Sequence, residues 1–260
     1  MPVTYSSYLK LDELLALQQP VSDGPEHDEM LFIVIHQVYE LWFKEMLHEL
    51  DYLKSLLVAH DTPRALHTFK RMLTILKVNV AQIDILETMT PLEFLSFRAR
   101  LDSSSGFHSF QFREFEFVLG VKNVAALDRY PEESAARRRL KQRIDDPTLW
   151  DAFLRYLVGS GHAVPSEALE RDVTGPVVES PALQPVLLDV YRRDSEARTI
   201  CELMVDLDEG VQEWRYRHVK MVERTIGVKM GTGGSAGAAY LRTTIGSPLF
   251  PDLWEIRSHL

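Results

Sequence analysis

His218, His36 and Arg98 stand out by residue type and placement. His218 closes the run Trp214-Arg215-Tyr216-Arg217-His218. Val211, Trp214, His218, Met221 or Val222, and Ile226 recur at helical spacing. The imidazole is therefore expected to face inward, with Arg215, Arg217, Lys220 and Arg224 elsewhere on the helix. An inward imidazole is either a core residue satisfied by one partner or a ligand to a metal or haem. The interior of a helical bundle is where such ligands are built. His36 follows Phe32 by four residues, so both project from one face. Glu40 and Phe43 sit a turn or two further on, and the same two readings apply to His36.

Arg98 shares a face with Phe94 and Leu101. It can snorkel to water, or present its planar fork to a carboxylate inside an apolar pocket. The density of Phe94, Phe97, Phe107, Phe110 and Phe112 leans toward a pocket, with a plain aromatic core as the default. The segment from Gly231 to Gly237 is a further candidate. A helix precedes it and no Gly-Lys-Ser/Thr follows, so neither a dinucleotide fingerprint nor a phosphate loop fits. It either closes over a ligand or is an ordinary flexible loop. Glu45-x-x-His48 occurs once, which makes no di-iron site.

The elements that must position these residues are helical almost throughout. One long helix lies between Pro25 and Pro63, and a second runs from about Pro63 to Glu87. Asp61 and Thr62 are the candidate caps between them. Thr90-Pro91-Leu92-Glu93 is a capping-box pattern that opens a shorter helix carrying Arg98. An aromatic-rich helix spans Phe107 to Leu119, a charged one Glu132 to Ile144, and a short one Pro147 to Val158. The last long helix begins near Ala182 and reaches Ile226, with room for one break. The expected fold is all-α, a single domain of long helices packed as a bundle over residues 1–260. Residues 121–181 form an excursion, and residues 1–20 an N-terminal segment that needs cover for its apolar face.

Composition narrows the function classes. The chain has 260 residues with a formal charge of −9, which argues against a nucleic-acid binder. Its one cysteine, Cys201, excludes an internal disulfide or a Cys-rich zinc module. No apolar run approaches the ~20 residues of a membrane span, and no targeting segment is visible. The expectation is a cytoplasmic protein with no membrane or nucleic-acid partner.

Taken in order, several runs resemble the tryptophan 2,3-dioxygenase family from about Tyr5 to Phe250. They are His27-Asp28-Glu29-Met30-Leu31-Phe32-Ile33, His36-Gln37-Val38-Tyr39-Glu40-Leu41-Trp42, Leu86-Glu87-Thr88-Met89-Thr90-Pro91, Phe97-Arg98, Ser105-Gly106-Phe107, Trp214-Arg215-Tyr216-Arg217-His218 and Gly231-Thr232-Gly233-Gly234-Ser235. The resemblance implies an all-α enzyme carrying haem b, ferrous when active, and assembled as a homotetramer (a dimer of dimers). It implies cleavage of the indole C2–C3 bond of L-tryptophan by O₂ to N-formyl-L-kynurenine, which opens the kynurenine pathway of tryptophan catabolism. The family match puts the proximal haem ligand on His218 and the distal histidine at the indole N–H on His36, with Phe32 beside it. Arg98 matches the arginine for the substrate carboxylate, Thr232 a residue near the ammonium and carboxylate, and Ser105 a distal-pocket serine. Tyr5 and Tyr8 match residues that complete a neighbouring subunit's pocket. Phe94 and Phe112 stand where some members have tyrosine, so a hydroxyl contact to substrate is absent. The alternatives are a related haem oxygenase acting on a substituted tryptophan, a haem-binding sensor, and a helical interaction protein without cofactor.

Overall fold

The computed structural model describes all residues except 1, 25, 102, 103, 105 and 232–236. Among the described residues there are helices and no strands. Two short N-terminal helices, α1 (Tyr5–Leu9) and α2 (Leu11–Leu14), precede the long α3 (His27–Val58). Next come α4 (Thr62–Leu86), α5 (Pro91–Arg98), α6 (Phe110–Val118), α7 (Ala135–Asp145), α8 (Leu149–Gly159) and α9 (Ser166–Leu169). The chain closes with α10 (Gln184–Arg193), α11 (Ser195–Ile226), α12 (Ala238–Arg242) and α13 (Pro251–Glu255).

Local chemistry explains most boundaries. The Asp61 side chain accepts from Arg64 N at 3.2 Å and starts α4, with Pro63 inside the first turn where its missing N–H costs nothing. At α5 the capping box forms in both directions: Thr90 N donates to Glu93 Oε2 at 2.6 Å, and Glu93 N to Thr90 Oγ1 at 3.4 Å. The aromatic helix starts at Phe110 rather than Phe107, because Ser109 Oγ caps it by accepting from Phe112 N. Gly106–His108 forms a 3₁₀ turn instead. The charged helix likewise begins at Ala135, where Ser134 accepts from Arg137 N. The expected break in the last long segment falls at Asp194. This residue ends α10, and its side chain caps α11 by accepting from Ala197 N at 3.0 Å.

Helix α4 packs along both α3 and α11, and α3 also packs against α6 and α8. The main core runs through Leu50, Leu53 and Leu57 of α3, Phe69 and Met72 of α4, and Ile200, Met204 and Leu207 of α11. Helix α8 lies within residues 121–181 yet inserts Leu149, Trp150, Phe153 and Leu157 into that same core. A buried ammonium ties the stretch down. Lys122 Nζ donates to the carbonyls of Ile144 (2.7 Å), Asp146 (2.5 Å) and Val173 (2.6 Å). Lys122→Met should leave these oxygens without a donor, at roughly 1–3 kcal/mol for each buried group stranded. A fall in unfolding free energy of at least about 2 kcal/mol is the expected outcome of a urea titration.

Candidate active site

α3, α4, α5, α6, α11 and α12 line a cavity of about 230 Å³. Phe32, His36, Glu40 and Phe43 line it from α3, Phe94 and Arg98 from α5, and Phe112, Arg113 and Glu116 from α6. Trp214, Arg215 and His218 line it from α11, and Tyr240 from α12. The two histidines and the arginine singled out by sequence therefore meet at one place.

His36 Nδ1 lies 2.7 Å from the Phe32 carbonyl oxygen one turn back on α3. A carbonyl only accepts, so Nδ1 carries the proton and Nε2 presents a lone pair. Burial holds the His36 imidazole below the usual histidine range, against the opposing pull of the Phe32 carbonyl and of Glu40. The Phe32 ring packs on His36 at 4.1 Å between centroids, and Phe94 and Phe97 extend the same aromatic wall. Neither Phe94 nor Phe112 offers a hydroxyl; Phe112 packs on Trp214 at 4.8 Å.

Burial pushes His218 down to about 4, and the nearby His36 adds to the effect. At neutral pH both imidazoles are therefore uncharged. The His218 ring stacks on Trp214 at 5.0 Å with 13° between planes, which fixes its orientation. Cys201 offers no competing ligand. It is fully buried in the core, and burial pushes its thiol up.

Arg98 sits at the loop that follows α11. Its Nη2 donates to the Met230 carbonyl at 2.5 Å, while its Nε is buried without an acceptor. The neck of that loop is tight: a Cβ on Gly237, at φ +59°, would meet the Lys229 carbonyl oxygen at 2.7 Å. Thr232 and Ser105 lie outside the described residues. Tyr5 and Tyr8 are away from the cavity of their own chain and are 76% and 77% exposed.

Sequence reasoning placed Arg215 away from the inward stripe. It is instead buried, and its Nη2 donates to Glu116 Oε1 at 2.9 Å. α12 covers a second side of α11, so the buried arc is wider than the apolar stripe. Glu40, Arg113 and Glu116 also went unassigned as cavity residues. The Arg113-x-x-Glu116 spacing was the available signal, since residues three apart are neighbours on a helix. Gln111 Nε2 holds Glu40, donating to its Oε2 at 2.8 Å and to its carbonyl at 2.9 Å.

The tryptophan 2,3-dioxygenase family model matches residues 1–157 and 178–260. The chain belongs to the tryptophan 2,3-dioxygenase family. A tryptophan 2,3-dioxygenase of Herpetosiphon aurantiacus is 62% identical over 258 residues, covering 99% of this chain and 98% of its own. That of Anaeromyxobacter sp. (strain K) is 57% identical over 258 residues, at 99% and 96% coverage. That of Caulobacter vibrioides is 44% identical over 261 residues, at 99% and 98%. The gap in the family match, 158–177, falls in the stretch around α9, away from the lining of the cavity.

In a family whose name requires an indole to be held, the lone pair on His36 Nε2 is the feature to verify. Nitrogen-15 spectra of histidine-labelled protein at pH 7 should show His36 as the neutral Nδ1–H tautomer. Its Nδ1–H should be protected from exchange by the Phe32 carbonyl.

Proposed function

We infer that the cavity holds haem and L-tryptophan together, and that His218, His36, Phe32, Phe94 and Arg98 divide the work between them. The activity is that of the family: an oxidoreductase that opens the indole ring of L-tryptophan with O₂ to give N-formyl-L-kynurenine. Full-length relatives named for that reaction favour it over a substituted-tryptophan oxygenase or a haem sensor.

The residues present fit a haem. His218 is neutral, lines the cavity, and among the described residues has no hydrogen bond at either ring nitrogen. Neutral imidazole is the form that binds iron. In this reading His218 would hold the haem iron through its imidazole. Ferrous haem b supplies the oxygen chemistry, while the protein orients the substrate and excludes water.

His36 accepts the indole N–H on Nε2. It fixes the ring and needs no proton of its own to do so. Phe32 and Phe94 bound the apolar slot for the bicyclic side chain. Arg98 has donors beyond the one spent on Met230 and takes the carboxylate as a planar fork. Thr232 and Ser105, outside the described residues, would take the roles that the sequence resemblance implies for them.

The assembly belongs to the same proposal. No residue of α1 or α2 is buried, and Leu15 is 72% exposed beside Tyr5 and Tyr8. Leu11 and Leu14 are half-buried, but the chain leaves Tyr5, Tyr8 and Leu15 uncovered, which supports association with a second copy. The assembly that the sequence resemblance implies is a homotetramer, a dimer of dimers, in which Tyr5 and Tyr8 complete a neighbour's pocket. The chain acts as one domain, with residues 121–181 anchored on the bundle. No helix among the described residues is long and apolar enough to cross a membrane. Cytoplasmic residence, in keeping with a single cysteine, completes the reading.

His218→Ala should lose most bound haem and all turnover, read from the Soret band and product formation. Cys201→Ala should leave both unchanged. A His218→Ala protein with an intact histidine-type spectrum would overturn the assignment. Arg98→Ala should lower kcat/KM for L-tryptophan about tenfold to a hundredfold, the worth of one hydrogen bond to a charged group. It should matter far less for tryptamine, which has no carboxylate; equal losses would mean a structural arginine. Deleting residues 1–12 should reduce assembly in sedimentation velocity and weaken tryptophan binding, with His218 ligation retained. A fully active monomer would refute the shared pocket.

A further inference from the structure

The cavity carries a charged cluster that the roles above leave unused. Glu116 on α6 is 4% exposed and accepts from Arg215 Nη2 on α11 at 2.9 Å. It also pairs with Arg113, one turn earlier on α6. Arg215 is itself 4% exposed, and its Nη1 reaches the Thr244 carbonyl at 3.3 Å. All three side chains line the cavity. Two guanidiniums share one carboxylate, so the cluster keeps an unmatched positive charge where little water can solvate it. The Nε atoms of both arginines are buried without an acceptor. The other lining carboxylate, Glu40, is engaged by Gln111. Buried charge is tolerated when it is paired and hydrogen-bonded, so this cluster is built to be completed by an anion.

We propose that Arg113 and Arg215, held side by side by Glu116, form an anion subsite for a carboxylate of the cofactor, a haem propionate. The assignment rests on the haem reading and deepens it. Arg215 stands three residues before His218 on α11, and residues three apart are neighbours on a helix surface. The carboxylate it receives therefore belongs to whatever His218 binds. Arg98 lies on a different helix, α5, at the Met230 loop, and is left for the amino acid. Glu116 offsets the repulsion between the two guanidiniums and leaves their free N–H groups to receive the anion.

The test compares haem with haem dimethyl ester, which keeps the iron and the macrocycle but has no free carboxylate. Full-length chain from haem-starved cells is titrated with each compound in the ferric state, followed by the Soret band. Wild type should bind haem about tenfold to a hundredfold more tightly than the ester, the range for a hydrogen bond to a charged group. Arg113→Met and Arg215→Met should lose most of that preference while keeping the wild-type Soret shape. His218→Ala should weaken both compounds alike and change the shape. Equal wild-type affinity for haem and ester overturns the subsite and leaves the haem reading standing, and it needs no variant to fold. Folded arginine variants that keep the full preference also overturn it, and reduce the cluster to a tie between α6 and α11. A wild-type chain that takes up neither compound overturns the haem reading and the subsite with it.

Discussion

The site depends on keeping two imidazoles uncharged inside a largely apolar cavity. His36 and His218 come from different long helices, α3 and α11, each packed along α4. That packing removes water from both rings, and a low-dielectric wall penalises the charged form. For His36 the Phe32 carbonyl then decides which nitrogen keeps the proton, and the i to i−4 geometry of α3 makes that bond available. For His218 the Trp214 ring, one turn earlier on α11, sets the plane of the imidazole. Neutrality, tautomer and orientation follow from helix packing, with burial outweighing the pull of Glu40 on His36.

Against that neutral pair, the rest of the cavity is cationic. The chain as a whole carries −9, yet three arginines and two glutamates are the formally charged residues lining the cavity among those described. The acidic surplus is spread over the outside, and the positive surplus is concentrated within. A zwitterionic amino acid and a dicarboxylate macrocycle both bring carboxylates into an apolar space, and guanidiniums are suited to pair them there. Arg98 and the Arg113–Glu116–Arg215 cluster lie on different helices, so two carboxylates can be served without competition.

The scaffold is stiffened where the sequence is least regular. Between α6 and α10 the chain would carry many buried backbone groups without partners, and such groups must be paired. Lys122 gathers three carbonyls, and Asp151 closes the α8 cap while pairing with Arg171 at 2.7 Å. These contacts tie the segments around α8 to one another, and α8 packs on α3, the helix that carries Phe32, His36 and Glu40.

The sequence by itself determined the helical class, the capping box at Thr90, the Asp61 cap and the break before α11. Each of these is a local event in which a side chain and a backbone group within a few residues satisfy one another. It also marked His36, His218 and Arg98, because their spacing relative to aromatic neighbours is a one-dimensional signal. Tertiary structure alone decided that Arg215 would be buried. It also brought Glu116, 99 residues away in sequence, to that arginine. An inward imidazole has the same periodicity whether it fills a core or faces a cavity. A buried arginine has the same spacing as an exposed one until the helix that covers it is in place.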